Sequence, residues 1–121
     1  MTTTSTWFTA ADGDTEAIER LTAAWADAPV ENLETLRFIL STARDQVLAD
    51  APTAIPPQNW ETAPLDRYVY AQLRQAENLW NAGRVQVSGD IGDGQYVFTP
   101  RPLDKTIQQI IRPPDRKPHA L

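Results

Sequence analysis

The side chains that most enzymes use for acid–base, nucleophilic or zinc chemistry are almost missing from this chain of 121 residues. It contains no cysteine and one histidine, His119, in the proline-rich stretch "RPPDRKPHAL". A catalytic base must be oriented by a second residue, and nothing in that stretch is placed to orient this imidazole. The absence of cysteine also excludes disulfides, thiolate catalysis and cysteine-ligated zinc. We therefore predict that the chain is not an enzyme and binds no cofactor and no metal.

Two pairs of acidic residues are the remaining candidates for a metal or phosphate site. The pair Asp12 and Asp14 lacks the further ligands, the glycine at position six and the distal glutamate of a calcium loop. The pair Asp90 and Asp93, in "GDIGDG", has too few oxygen ligands nearby, and this glycine-rich stretch opens no helix that could bind a phosphate. Because Asp and Gly both suit turns, we interpret the two pairs as turn residues.

Charge is distributed unevenly along the chain. Residues 1–50 hold nine acidic residues against three arginines, whereas the residues from Thr99 onward hold five basic residues against two acidic ones. The net charge of −5 argues against tight binding of a nucleic-acid backbone, because that affinity comes from Lys and Arg. An acidic body with a basic end is typical of a domain with an attachment arm. No apolar run approaches the roughly 20 residues that span a bilayer, so no membrane partner is expected.

Apolar residues at helical spacing predict four helices. They lie near residues 15–27, 31–50, 65–82 and 102–112. The second ends before Pro52, the third at Gly83, where a left-handed cap is expected, and the fourth before Pro113. The two long helices are predicted to pack antiparallel. Their shared core is expected to contain Leu36, Leu40, Val47, Val69, Leu73, Ala76 and Trp80.

The stretch "RVQVSGDIGDGQYVF" predicts a short β-hairpin over residues 84–98, because apolar residues alternate on both sides of a glycine-rich tip. The predicted fold is therefore mainly α: a small bundle of about four helices, a β-hairpin between the last two, and extended N- and C-terminal arms. The boundaries are an N-terminal arm at 1–14, a helical domain at 15–112 and a C-terminal arm at 113–121. The hairpin tip, with Asp90, Ile91 and Asp93, is expected to project and to contact a partner.

Two further features suggest contacts outside the domain. Trp60 lies in a loop with four prolines, where it either covers the core or inserts into a partner. The C-terminal segment is spaced by prolines, which restrict its backbone and lower the entropic cost of ordering it on a partner. Its basic groups suit an acidic surface, and its last leucine suits a small pocket. The candidate interface residues of this arm are Arg112, Pro113, Pro114, Arg116, Lys117 and Leu121.

The strings "APVENLETLRFILSTARDQVLADAP", "RYVYAQLRQAENLWNAG" and "GDGQYVFTPRPLDKTIQQIIRPPDRKPHAL" resemble the head-to-tail adaptor (connector) proteins of tailed bacteriophages. The similarity covers roughly residues 25–121, and the helix "PLDKTIQQIIRP" with its basic proline tail is the most characteristic part. The resemblance implies a mostly helical structural protein of the virion neck without enzymatic activity. It also implies a dodecameric ring beneath the portal protein, which extends the DNA channel toward the stopper and the tail.

The resemblance implies several partners. They are the portal protein, neighbouring adaptor subunits, stopper or tail proteins, and genome DNA that passes without sequence-specific binding. The chain would lie in the virion, and in the host cytoplasm during assembly. The hairpin tip is then expected to contact a neighbouring subunit or the next ring toward the tail, and the C-terminal arm to dock on the portal or otherwise on the adjacent subunit.

A second interpretation is a small helical regulatory module that binds DNA or a protein. Such a module needs a basic recognition helix. The second and third helices carry four arginines, but acidic residues lie near each of them, which disfavours this interpretation. The arginines are Arg37, Arg44, Arg67 and Arg74.

Overall fold

The computed structural model describes residues 5–88 and 96–113, with side chains at 5–84 and 96–113. This part of the chain is mainly helical and contains four helices and no strand. The helices are α1 (Thr15–Ala24), α2 (Leu33–Asp50), α3 (Asp66–Ser88) and α4 (Lys105–Ile111). Asp14 caps α1 by accepting a hydrogen bond from the Ala17 amide at 3.1 Å, and Asp104 caps α4 by accepting one from the Ile107 amide at 2.8 Å.

The predicted β-hairpin over residues 84–98 is wrong. Helix α3 continues through Arg84 to Ser88, and residues 96–100 have no regular secondary structure. Alternation over three residues, as in Val-Gln-Val, does not separate a strand from a helix, because Val87 also follows Trp80 at the helical spacing of seven. The residues of the predicted tip, Asp90, Ile91 and Asp93, lie outside the described residues.

Helix α3 forms the centre of the molecule. It is buried on all sides except one stripe, on which Tyr70, Arg74, Asn81 and Arg84 are exposed. Helices α2 and α4 both pack against it, and α2 runs antiparallel to it. Of the seven core residues predicted from the stripes, six are buried and Trp80 is partly buried.

The segment before α1, which was predicted to belong to an N-terminal arm, lies against the helices from Ser5 onward. Trp7 and Phe8 are buried in the core. The Trp7 indole N–H is shared between the carbonyl oxygens of Trp60 and Glu61, at 3.0 and 3.1 Å. The sequence did not indicate this packing because two adjacent aromatic residues form no periodic pattern.

Buried side-chain amides of α3 hold this segment in place. The Gln72 side chain is 1 % exposed; its Oε1 accepts from the Phe8 amide at 2.8 Å and its Nε2 donates to the Phe8 carbonyl at 3.0 Å. Nε2 also donates to the Leu40 carbonyl of α2 at 3.1 Å. Arg20 of α1 also binds this segment, since its guanidinium donates to the Thr6 carbonyl at 2.7 Å. The extended segment is therefore bonded to α3 and to α1, and the same Gln72 side chain links α3 to α2.

Replacing Gln72 by Ala should lower the free energy of unfolding by about 2–3 kcal/mol, because it leaves the amide and the carbonyl of Phe8 buried without their partner. Urea denaturation measures the change, and hydrogen exchange at the Phe8 amide should accelerate. Gln108→Ala, at an exposed position of α4, is the matched control and should change stability by less than about 0.5 kcal/mol. A Gln72→Ala loss as small as the control's would show that this amide does not hold the segment.

Candidate interaction surfaces

No group of three or more His, Cys, Asp or Glu side chains lies close enough to hold a metal ion within residues 5–84 and 96–113. In the helices that the structure describes, none is long and apolar enough to cross a membrane. Surfaces that could bind other macromolecules are the remaining candidates. Three regions stand out: the end of the molecule where α4 stops, the opposite end, and an apolar patch beside α2.

The first region, which we call the exit end, is where α2 ends, α3 begins and α4 ends. The Arg112 Nε donates to the Asp50 carbonyl at 2.7 Å, and the Arg67 Nε donates to the Ile111 carbonyl at 3.4 Å. Arg112, a predicted interface residue, thus binds the last turn of α2 in its own chain. Pro113 follows it at the surface. The other predicted arm residues, Pro114, Arg116, Lys117 and Leu121, lie outside the described residues.

Trp60 also packs on its own chain, close to the exit end. Its indole N–H donates to the Pro52 carbonyl at 2.9 Å, and its ring meets the Tyr68 ring edge-on with centroids 5.3 Å apart. Its carbonyl accepts the hydrogen bond from Trp7. Trp60 is thus partly buried against the core of its own chain.

The second region is an open groove of about 720 Å³ at the opposite end of the molecule, which we call the acidic groove. It is lined by residues 26–32, which connect α1 to α2, and by Trp80 and Arg84 of α3. Asp27 and Glu31 are exposed there and form no ion pair with any charged side chain that the structure describes. No sequence motif indicated this groove, because it is formed by a loop and by a helix face about 50 residues later in the chain.

Tyr96 holds in place the Trp80 side chain that lines the acidic groove. Its ring stacks on the Trp80 indole with centroids 4.8 Å apart and 13° between the planes, and its O–H donates to the Leu79 carbonyl at 2.7 Å. Gly83 makes this possible, because a Cβ at that position would clash with the Tyr96 ring. The prediction that Gly83 caps the third helix is wrong: the helix continues, and the glycine allows a close approach of the ring.

The third region is an apolar patch on the outer side of α2. Phe38 and Phe98 meet edge-on with centroids 4.9 Å apart, and Phe38 and Val97 are each about half exposed. The segment that carries Phe98 is held by the Arg101 carbonyl, which accepts from Gln46 at 2.7 Å and from Gln75 at 2.9 Å. The patch is thus a fixed part of the surface.

Three of the four arginines that would form a recognition helix make contacts within the chain. Arg74 pairs with Glu77 at 3.5 Å and Arg44 with Asp45 at 3.3 Å. Burial raises the pKa of Glu77, and Arg74 partly offsets this rise. Arg67 binds the Ile111 carbonyl at the exit end. Arg37 is exposed and forms no ion pair with a side chain that the structure describes, so acidic partners offset two of the four arginines.

Comparison with protein-family models, curated proteins and solved structures found no match to this chain.

Replacing Gly83 by Ala should destabilise the fold by about 1–3 kcal/mol, because the added Cβ overlaps the Tyr96 ring and the ring is held by its bond to Leu79. In a Tyr96→Ala background the same substitution should stabilise by about 0.5–1 kcal/mol, since Ala favours a helix over Gly. Thermal or urea unfolding of the four chains measures both values. An effect of equal sign in both backgrounds would contradict the close approach.

Burial raises the pKa of the Tyr96 hydroxyl above its ordinary value of 10.0. The unfolded chain therefore loses this proton at a lower pH than the folded chain, so the stability that Tyr96 provides is present below about pH 10 and falls as the pH rises further. Tyr96→Phe should lower the free energy of unfolding by about 1 kcal/mol at neutral pH, and it should reduce the loss of stability at alkaline pH. Urea unfolding between pH 8 and about 11 measures this. Tyr70→Phe, at a half-exposed position, is the matched control for the loss of a hydroxyl and should change stability at neutral pH by less than about 0.5 kcal/mol.

Proposed function

We propose that this chain is a structural adaptor of a tailed bacteriophage. It forms a ring beneath the portal protein, extends the DNA channel and joins the head to the stopper or tail. The motifs that resemble the adaptor family, at residues 25–121, supply helices α2, α3 and α4 and the segments that connect them. The sequence contains no cysteine and one histidine, a composition that fits a structural role.

The observation that carries the proposal is the difference between the two ends of the molecule. The exit end leads into the basic segment after Arg112, whereas the opposite end presents the acidic groove. A subunit with unlike, complementary ends can associate head to tail, and head-to-tail contacts between identical subunits form a ring where the rotation between neighbours closes. The apolar patch at Phe38 and Val97 offers further area for a neighbour.

The acidic side of the molecule also suits a channel through which DNA moves. The exposed acidic residues before and within α1 are Asp12, Asp14, Glu16 and Glu19. Arg20, the basic residue of α1, is turned toward the N-terminal segment, where it binds the Thr6 and Trp7 carbonyls. An acidic wall repels phosphates and lets DNA slide without binding.

A regulatory DNA-binding module is the weaker proposal, because Arg44, Arg67 and Arg74 are engaged within the chain. Binding to duplex DNA should accordingly stay weaker than about 10⁻⁴ M at physiological salt, the weak limit of ordinary non-specific binding. Fluorescence anisotropy with a labelled duplex measures this.

The adaptor proposal is tested by mass photometry of the purified chain, alone and after mixing with portal rings. The expected result is a ring of about twelve subunits bound to the portal. A matched variant, Phe38→Ser with Val97→Ser, changes only half-exposed side chains and should weaken ring formation while preserving helix content. A chain that remains monomeric or dimeric with and without portal rings would contradict the proposal.

A further inference from the structure

The acidic groove has the shape and charge of a site for an extended peptide. It is lined by the Trp80 ring, which is partly buried and stacks on the Tyr96 ring, and by Val30, which is 37 % exposed. Two carboxylates, Asp27 and Glu31, face one guanidinium, that of Arg84. Grooves lined by aromatic rings bind proline-rich segments, and charges beside the ring select the charges of the segment.

A segment with the matching chemistry follows Arg112 in this same chain. Residues 113–118 read Pro-Pro-Asp-Arg-Lys-Pro. They contain two basic residues and one acidic residue, the reverse of the groove. Arg116 and Lys117 can meet Asp27 and Glu31, while Asp115 meets Arg84. The prolines supply flat apolar rings for Trp80 and lower the entropic cost of binding.

The segment cannot place its basic residues in the groove of its own subunit. It leaves from the exit end, where Arg112 binds the Asp50 carbonyl, whereas the groove lies before the first residue of α2. Helix α2 has 18 residues and separates the two ends by about 27 Å. Five residues of extended chain span at most about 18 Å, so the backbone at Lys117 ends short of its own groove.

We infer that residues 113–118 of one subunit bind in the acidic groove of the next copy of this chain, an inference that rests on the proposed ring. The contact is heterologous: the exit end of each subunit meets the opposite end of its neighbour. Every subunit then gives one segment and receives one, which is the condition for a closed ring without unfilled sites. The basic segment then binds the neighbouring subunit, and the portal binds other surfaces of the ring.

The absence of cysteine allows a direct test in the full chain. One chain carries Val30→Cys in the groove and a second carries His119→Cys, which preserves Arg116 and Lys117. The two chains are mixed and treated with a short bismaleimide. The expected product is a covalent dimer of the two different chains. Ala23→Cys, at an exposed position of α1 outside the groove, replaces Val30→Cys as the matched control and should give little product.

Charge reversal then identifies the contact. Asp27→Lys with Glu31→Lys in the groove chain should lower the rate of cross-linking about tenfold, because like charges then face each other. Arg116→Glu with Lys117→Glu in the segment chain should do the same, and the two reversed chains together should restore most of the rate. All four positions are exposed or lie outside the described fold, and circular dichroism checks that helix content is unchanged.

Three of the remaining outcomes overturn the inference, and a fourth separates it from the adaptor function. Cross-linking equal to the Ala23→Cys control means that the segment does not occupy the groove. A chain carrying both Val30→Cys and His119→Cys that links only to itself means that the segment binds in its own subunit. Rings that form on the portal without this cross-link would overturn the inference and leave the adaptor function intact. Cross-linked chains that never bind a portal would preserve the inference and remove that function.

Discussion

The fold depends on the burial of α3, and in particular on the hydrogen bonds that two of its buried side-chain amides donate to other parts of the chain. A helix that is buried on nearly all sides needs a neighbour on each of them. Helices α2 and α4 cover part of it, and extended segments cover the rest. Extended backbone brings unpaired N–H and carbonyl groups into the core, where each costs free energy unless it is bonded. Gln72 and Gln75 provide those bonds, the first to Phe8 and the second to the Arg101 carbonyl.

The two glutamines also show where sequence reasoning succeeds and fails. The apolar stripes of α2 and α3 repeat over several turns, so their existence and their core residues could be predicted. Gln72 and Gln75 lie beside that stripe and resemble solvent-exposed positions, although both are fully buried. Their partners are backbone atoms distant in sequence, which no local pattern encodes. The hairpin prediction failed for the related reason that three alternating residues carry too little periodic information.

The candidate surfaces were predicted less well than the helices, because none of them lies on a single element. The acidic groove combines the connection between α1 and α2 with the far half of α3, and its aromatic wall requires Tyr96 to cross the helix at Gly83. The glycine suggested a helix end only because the ring that it accommodates could not be known. The sequence left the role of Trp60 open for the same reason: its partners are Pro52, just after the end of α2, and Tyr68, in the first turn of α3.

The separation of charge between the two ends gives the molecule a direction that its helices alone would not provide. Two exit ends repel each other through the basic residues after Arg112, and two acidic grooves repel through Asp27 and Glu31. In the proposed ring, association of like ends would be disfavoured and unlike ends would attract, which favours head-to-tail contacts over a closed symmetric dimer. Fully exposed charges contribute little affinity to such a contact. The stacked Trp80 and Tyr96 rings and the half-exposed Phe38 would then provide the apolar area between neighbours, while the charges decide which ends meet.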